Sequence, residues 1–128
     1  MTRYAPLLGL ALVLGAAGCS DSSAPDCTGP VTLTAGTGTS PSFSWSPDCQ
    51  LEGLAVTGPG GVLWNVESTS GTNTISPSVR YGSTPKGARV VTAATALAAG
   101  VTYQVTVYRY DDRQGGTIES GGATAFTP

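Results

Sequence analysis

The stretch that decides the fold is Leu97-Ala98-Ala99-Gly100-Val101-Thr102-Tyr103-Gln104-Val105-Thr106-Val107. Apolar and polar residues alternate from Val101 onward. Because side chains on a strand point alternately to its two faces, Val101, Tyr103, Val105 and Val107 share one face, opposite Thr102, Gln104, Thr106 and Tyr108. This pattern predicts a strand with one buried face.

Similar short alternations occur on both sides of this strand, separated by turn residues. With it they predict seven strands, in Val31–Thr34, Ser42–Ser46, Leu54–Val56, Val62–Val66, Ala88–Thr95, Val101–Tyr108 and Thr117–Phe126. Gly58-Pro59-Gly60-Gly61 is a strong turn signal, and Gly121-Gly122 predicts a bulge in the last strand. Seven short strands without an amphipathic helix indicate an all-β fold, an antiparallel β-sandwich over residues 31–128.

The segment Leu97–Val107 also resembles the tyrosine corner of fibronectin type III domains. In that motif a Leu, a Gly turn and a Tyr six residues after the Leu occur in order, as Leu97, Gly100 and Tyr103 do here. The resemblance implies that the Tyr103 hydroxyl hydrogen-bonds the backbone upstream and that Trp45 is the core tryptophan. It covers about residues 31–127 and implies a fibronectin type III/immunoglobulin-like sandwich. The long segment Ser68–Gly87 departs from the pattern.

The N-terminus has the layout of a secretory signal. A charged start, Met1–Tyr4, precedes an apolar run, Leu7–Ala17, and the small residues Ala16-Ala17-Gly18 precede Cys19. The apolar run is about eleven residues, whereas a membrane-spanning helix needs roughly 20. This layout resembles a bacterial lipoprotein signal, although Ala16 replaces the usual Leu.

The lipoprotein resemblance implies that residues 1–18 are removed, that Cys19 is lipidated and that residues 19–30 form a flexible tether. The lipid would make the membrane a partner and place the protein in the bacterial cell envelope. Ser20 after the cysteine favours the outer membrane, where the host has one. Plain secretion, with Cys19 as a free or bridged thiol, is the alternative.

Cys27 and Cys49 are the only other cysteines. Disulfides persist outside the cytoplasm, so we expect these two residues to form a bridge. Two cysteines and no histidine fall short of the four ligands of a structural zinc site.

No catalytic constellation is visible in the sequence. The chain has no His and a single Lys, Lys86, in a turn between Pro85 and Gly87. Asp111-Asp112 is interpreted as a solvated loop, and no nucleotide-binding glycine motif occurs. A formal net charge of −2, without a basic patch, makes nucleic acid a poor partner. We therefore predict a protein that is not an enzyme and needs no metal or other cofactor.

Aromatic residues are the remaining lead to function. The candidate binding surface consists of Trp64, Tyr81, Tyr108, Arg109 and Tyr110, because Tyr and Arg are favoured at binding surfaces. If these residues are exposed together, they predict a ligand-binding module for carbohydrate or a small apolar molecule. If they are buried or dispersed, an interaction, adhesion or structural module with a protein or polysaccharide partner is the better hypothesis. The Val62–Val66 strand is a candidate sheet edge for such a partner.

Overall fold

Two antiparallel sheets pack face to face in the computed structural model, which describes residues 24–128. The first sheet has three strands in the order β1-β2-β5, and the second has five in the order β6-β4-β3-β7-β8. The strands are β1 (Thr32–Ala35), β2 (Ser42–Ser46), β3 (Gly53–Gly58), β4 (Gly61–Ser68), β5 (Val79–Arg80), β6 (Ala88–Thr92), β7 (Tyr103–Asp111) and β8 (Thr117–Phe126). The predicted all-β, antiparallel sandwich is confirmed.

The core lies between the sheets and follows the alternation seen in the sequence. In β2 the inward residues Phe43 and Trp45 are buried, while the three serines that alternate with them are exposed. The Trp45 indole N–H donates to the Cys49 carbonyl oxygen at 2.7 Å, which satisfies its buried polar atom. The inner face of the second sheet supplies further fully buried side chains: Leu54, Val56, Trp64, Val66, Val105 and Val107.

The tyrosine corner has the geometry that the sequence implies. The Tyr103 hydroxyl accepts a hydrogen bond from the Ala98 backbone N–H at 2.9 Å, and Leu97 is buried one residue earlier. The Tyr103 ring packs on Phe126, with ring centroids 5.8 Å apart. The corner therefore ties the segment before β7 to the core.

The predicted bulge in the last strand is also present. Val107 is opposite Gly122 and Tyr108 is opposite Ser120, so Gly121 is the extra residue on β8. The Gly121 carbonyl accepts a hydrogen bond from the Val31 N–H at 2.8 Å. The bulge therefore joins β8 to the chain that leads into β1 and closes this side of the sandwich.

Cys27 and Cys49 form the predicted disulfide, with Cα atoms 5.0 Å apart. Next to it, Gln50 donates its N–H to the Pro25 carbonyl and accepts from the Cys27 N–H. Pro25 and Cys27, within the predicted tether over residues 19–30, therefore make backbone hydrogen bonds to the folded domain. The signal segment 1–18 and Cys19 lie outside the described residues.

Two further expectations differ from the structure. An eighth strand, β5, lies inside the long segment Ser68–Gly87, and its two residues are too few to show alternation. The Val62–Val66 segment lies in β4, which is interior to its sheet between β6 and β3 rather than at the edge. Within the described residues, no helix is long and apolar enough to cross a membrane.

Candidate functional site

Trp64 does not belong to a binding surface, because its side chain is fully buried. It lies on the inward face of β4 with Val66, as the alternation of the strand requires. Its ring packs against Phe43 and Tyr81, with centroids 6.3 and 5.2 Å away. The indole Nε1 is buried and has no hydrogen-bond partner among the described residues, so packing alone holds this ring.

Tyr81 is likewise part of the core and not of a surface. It follows β5, only 8% of the residue is exposed, and its backbone N–H donates to the Pro41 carbonyl. The hydroxyl donates to the Thr95 carbonyl oxygen at 2.6 Å. Burial, aided by nearby Tyr103, raises the pKa of Tyr81 above its ordinary value, while the bond to Thr95 acts in the opposite direction.

The other two tyrosines of the predicted surface share the outer face of β7. Val105 and Val107 point inward, so Tyr108 and Tyr110 point outward, and both are half-buried. Ile118 is opposite Tyr110 on β8 and is 54% exposed. The structure thus brings Tyr108, Tyr110 and Ile118 together on one face of the β7–β8 hairpin, which we call the hairpin patch.

Arg109 lies on the opposite face of the same hairpin. Its guanidinium lies 3.6 Å from the Asp111 carboxylate and also pairs with Glu119 on β8. The Arg109 and Asp111 side chains are only 14% and 13% exposed. The other Asp111 oxygen accepts from the Arg113 N–H at 2.9 Å, which caps the 3₁₀ helix Asp112–Gln114. Asp111 therefore caps this helix with one carboxylate oxygen and faces the Arg109 guanidinium with the other.

Asn73 holds the loop before β5 against the hairpin. Its amide N–H₂ donates to the Tyr110 carbonyl at 2.9 Å, and its amide oxygen accepts from the Tyr110 N–H at 2.8 Å. The side chain is buried and replaces a neighbouring strand where the β3–β7 pairing has ended. No sequence pattern indicates this contact, because Asn73 lies in a polar segment without periodicity.

These contacts form the walls of a polar pocket of about 410 Å³ at this end of the sandwich. Its lining comes from three segments: Asp26–Thr28, Thr72–Asn73 and Arg109–Arg113. Carboxylates, guanidiniums, an amide and hydroxyls therefore surround one volume. Because charges of both signs are mixed in this lining, its hydrogen-bond donors and acceptors suit a neutral polar ligand better than an ion. Across the described residues, no group of three or more His, Cys, Asp or Glu is arranged to hold a metal ion.

Glu52 is a buried carboxylate outside this pocket. It precedes β3, and only 5% of the residue is exposed. Desolvation raises its pKa above the ordinary value, and the nearby Glu67 carboxylate adds to the rise, while Arg89 opposes it. Its backbone explains the position: the Glu52 N–H donates to the Tyr108 carbonyl and its carbonyl accepts from the Ser68 N–H.

Comparison with protein families, with curated proteins and with solved structures finds no match for this chain. The functional argument therefore rests on its own residues.

Proposed function

We propose that this protein is a lipid-anchored, non-catalytic module of the bacterial cell envelope that acts in interaction or adhesion. The observation that carries the proposal is the pairing of Cys27 with Cys49. It leaves Cys19 as the odd cysteine, directly after the small residues of a signal-like segment. A structural disulfide also fits an oxidising compartment.

The chain length between Cys19 and the domain supports a position close to the membrane. Pro25 is already hydrogen-bonded to Gln50, six residues after Cys19. Six residues span at most about 20 Å when fully extended. A lipid on Cys19 would therefore keep the domain within about that distance of the bilayer, so partners would be other envelope proteins or polymers.

The anchoring is tested by expressing the full chain in a bacterial host with a fatty-acid analogue that can be tagged. We expect the label to co-migrate with the protein in the membrane fraction, and Cys19→Ala to lose both label and membrane association. Ser22→Ala, which changes a residue outside the lipobox-like run, is the control and should keep both. A labelled Cys19→Ala protein, or an unlabelled wild type secreted free of the membrane, would refute the anchor.

A second candidate function is binding of carbohydrate at the hairpin end. The specific observation is that Tyr108 and Tyr110 share the outer face of β7 and that Tyr110 also lines the polar pocket at this end of the sandwich. Aromatic rings offer an apolar surface for a sugar ring, and the pocket offers hydrogen-bond partners for hydroxyls. Trp64 and Tyr81 take no part in this hypothesis, because both are buried.

Retardation of the protein in gels that contain envelope or extracellular polysaccharides tests this function. Tyr108→Ala and Tyr110→Ala should abolish any retardation. The matched control, Val62→Ala, trims an exposed side chain away from the hairpin patch and should have no effect. Retardation that survives both tyrosine variants would refute the site. A wild-type protein that migrates with every polymer as fast as in a gel without polysaccharide would refute the function.

A further inference from the structure

The two sides of the five-stranded sheet end differently. On the β8 side, the Val31 N–H donates to the Gly121 carbonyl, so the chain leading into β1 contacts this edge at the bulge. On the other side, β6 is the last strand, paired with β4 and with no further strand in the described part of the chain. An uncovered edge strand presents free backbone donors and acceptors to any strand that approaches it.

The backbone groups available on β6 are those of Val90. The Gly87 carbonyl accepts from the Thr69 N–H and so faces β4, whereas the Ala88 N–H turns away from β4, to the Pro85 carbonyl. The backbone groups of successive residues on a strand point alternately to its two sides. The N–H and C=O of Arg89 therefore face β4, and those of Val90 face the open edge.

The side chains of β6 do little to protect this edge. Val90 and Val91 are 42% and 51% exposed, and the strand contains no Pro or Lys. Its single charge, Arg89, is paired with Glu67 on β4, where the guanidinium Nε donates to the carboxylate at 2.9 Å. Natural sheets commonly guard edges with charges, prolines, bulges, short strands or covering segments. Within the described residues, β6 is short and has one bulge, at Val91, but it has no unpaired charge, proline or covering segment.

We propose that two copies of this chain pair antiparallel through β6, with Val90 opposite Val90 of the second copy. Opposed residues in an antiparallel pair lie on the same face of the sheet. A two-fold axis that relates two identical strands must therefore pass between one residue and the same residue of the second copy. An axis at Arg89 would oppose two guanidiniums, and Val91 is the residue that the β4–β6 pairing skips. Val90 is the remaining central position, and its outward N–H and C=O complete two hydrogen bonds with the second copy.

This self-pairing goes beyond the proposed function, because it concerns the folded domain whether or not Cys19 carries lipid. Charge favours a second copy over an acidic or basic partner, since the Arg89–Glu67 pair leaves the edge close to neutral. The β6 contact joins the two five-stranded sheets into one continuous sheet. A strand of five residues buries little area, so the dimer is expected to be weak in dilute solution.

The pairing is tested by placing a cysteine at the two-fold axis of the proposed dimer, in the full chain expressed in a host that exports it. Residues opposed in a hydrogen-bonded pair have Cα atoms about 5.5 Å apart, within the usual disulfide range of about 4.4–6.8 Å. Val90→Cys should therefore give a dimer band that is lost on reduction. Ile118→Cys places a cysteine of similar exposure on the hairpin patch and should stay monomeric. Equal dimer bands from both variants, or none from Val90→Cys, would overturn the proposal.

A second variant keeps the test independent of thiol chemistry. Val90→Pro removes the outward N–H, a change that edge strands tolerate. In sedimentation of the detergent-extracted full chain over a concentration series, the wild type should shift toward dimer while Val90→Pro stays monomeric. Wild type that stays monomeric at every concentration, or a Val90→Pro protein that dimerises equally, would overturn the pairing. Loss of membrane anchoring in Cys19→Ala would leave both results unchanged.

Discussion

Removal of the Tyr103 hydroxyl tests the contribution of the tyrosine corner to stability, because it deletes a single heavy atom. Tyr103→Phe keeps the ring against Phe126 and deletes only the oxygen that accepts from the Ala98 N–H at 2.9 Å. A hydrogen bond of this kind contributes about 1 kcal/mol net, and Ala98 is exposed, so water can reach the freed N–H. We therefore expect a loss of about 1 kcal/mol in the free energy of unfolding.

That loss converts to a shift in melting temperature. At about 2.1 cal/mol/K per residue, a domain of this size has an unfolding entropy near 0.22 kcal/mol/K, so Tm should fall by about 4–5 °C. The assay is thermal unfolding followed by circular dichroism under oxidising conditions, which keep the disulfide intact. Tyr108→Phe is the matched control, because the Tyr108 hydroxyl makes no hydrogen bond to another described residue.

An unchanged Tm for Tyr103→Phe would mean that the corner hydrogen bond contributes nothing, and the reasoning would be refuted. A fall as large as that of a ring deletion, about 3–5 kcal/mol, would also contradict it, since the ring remains. A fall for Tyr108→Phe equal to that for Tyr103→Phe would show a general effect of hydroxyl loss rather than a corner.

Three further predictions concern the disulfide, the buried carboxylate and the loop contact. Cys27 and Cys49 are 22 positions apart, so by the loss of loop-closure entropy replacing both by Ala should lower the free energy of unfolding by about 3.4 kcal/mol. Urea titration measures this change, and a midpoint equal to that of wild type would contradict it. Glu52 has a folded-state pKa raised by burial, so its contribution to stability is full below the ordinary value of 4.5 and is lost as pH rises through the folded-state pKa. Glu52→Gln should therefore gain stability over wild type as pH rises toward neutral, and parallel pH profiles of Tm would disprove this. Asn73→Ala removes both bonds to the Tyr110 backbone, so amide exchange at Tyr110 should accelerate; Thr72→Ala is its control and should leave the rate unchanged.

The sequence predicted those parts of the fold that depend on alternation or on fixed spacing. Phe43 and Trp45 alternate with serines, so their burial followed from strand geometry alone. The corner was predictable because the Leu97, Gly100 and Tyr103 spacing resembles that of a known motif, and the bulge because a glycine pair weakens a strand. Each of these features is local in sequence or has a spacing that limits the alternatives.

The candidate site was less predictable, because its parts meet only through the tertiary fold. Tyr81 stands next to a glycine-containing turn, which suggested exposure, yet its ring covers Trp64 between the sheets. Trp64 lies near the Gly58–Gly61 turn, which suggested exposure, whereas the alternation of its strand places it on one face with Val66. Asn73 and Tyr110 are 37 positions apart, and no local pattern connects them.

The disulfide also sets how the domain would carry mechanical tension from its N-terminus. A pull on that end reaches Cys27 and crosses the sulfur bridge to Cys49, so the chain between them is bypassed. That bypassed loop contains β1 and β2, together with the Val31 contact to the bulge in β8. These strands can separate without lengthening the molecule. On the N-terminal side, stretching therefore begins after Cys49, and the first strand that it reaches along the chain is β3, at the centre of the larger sheet.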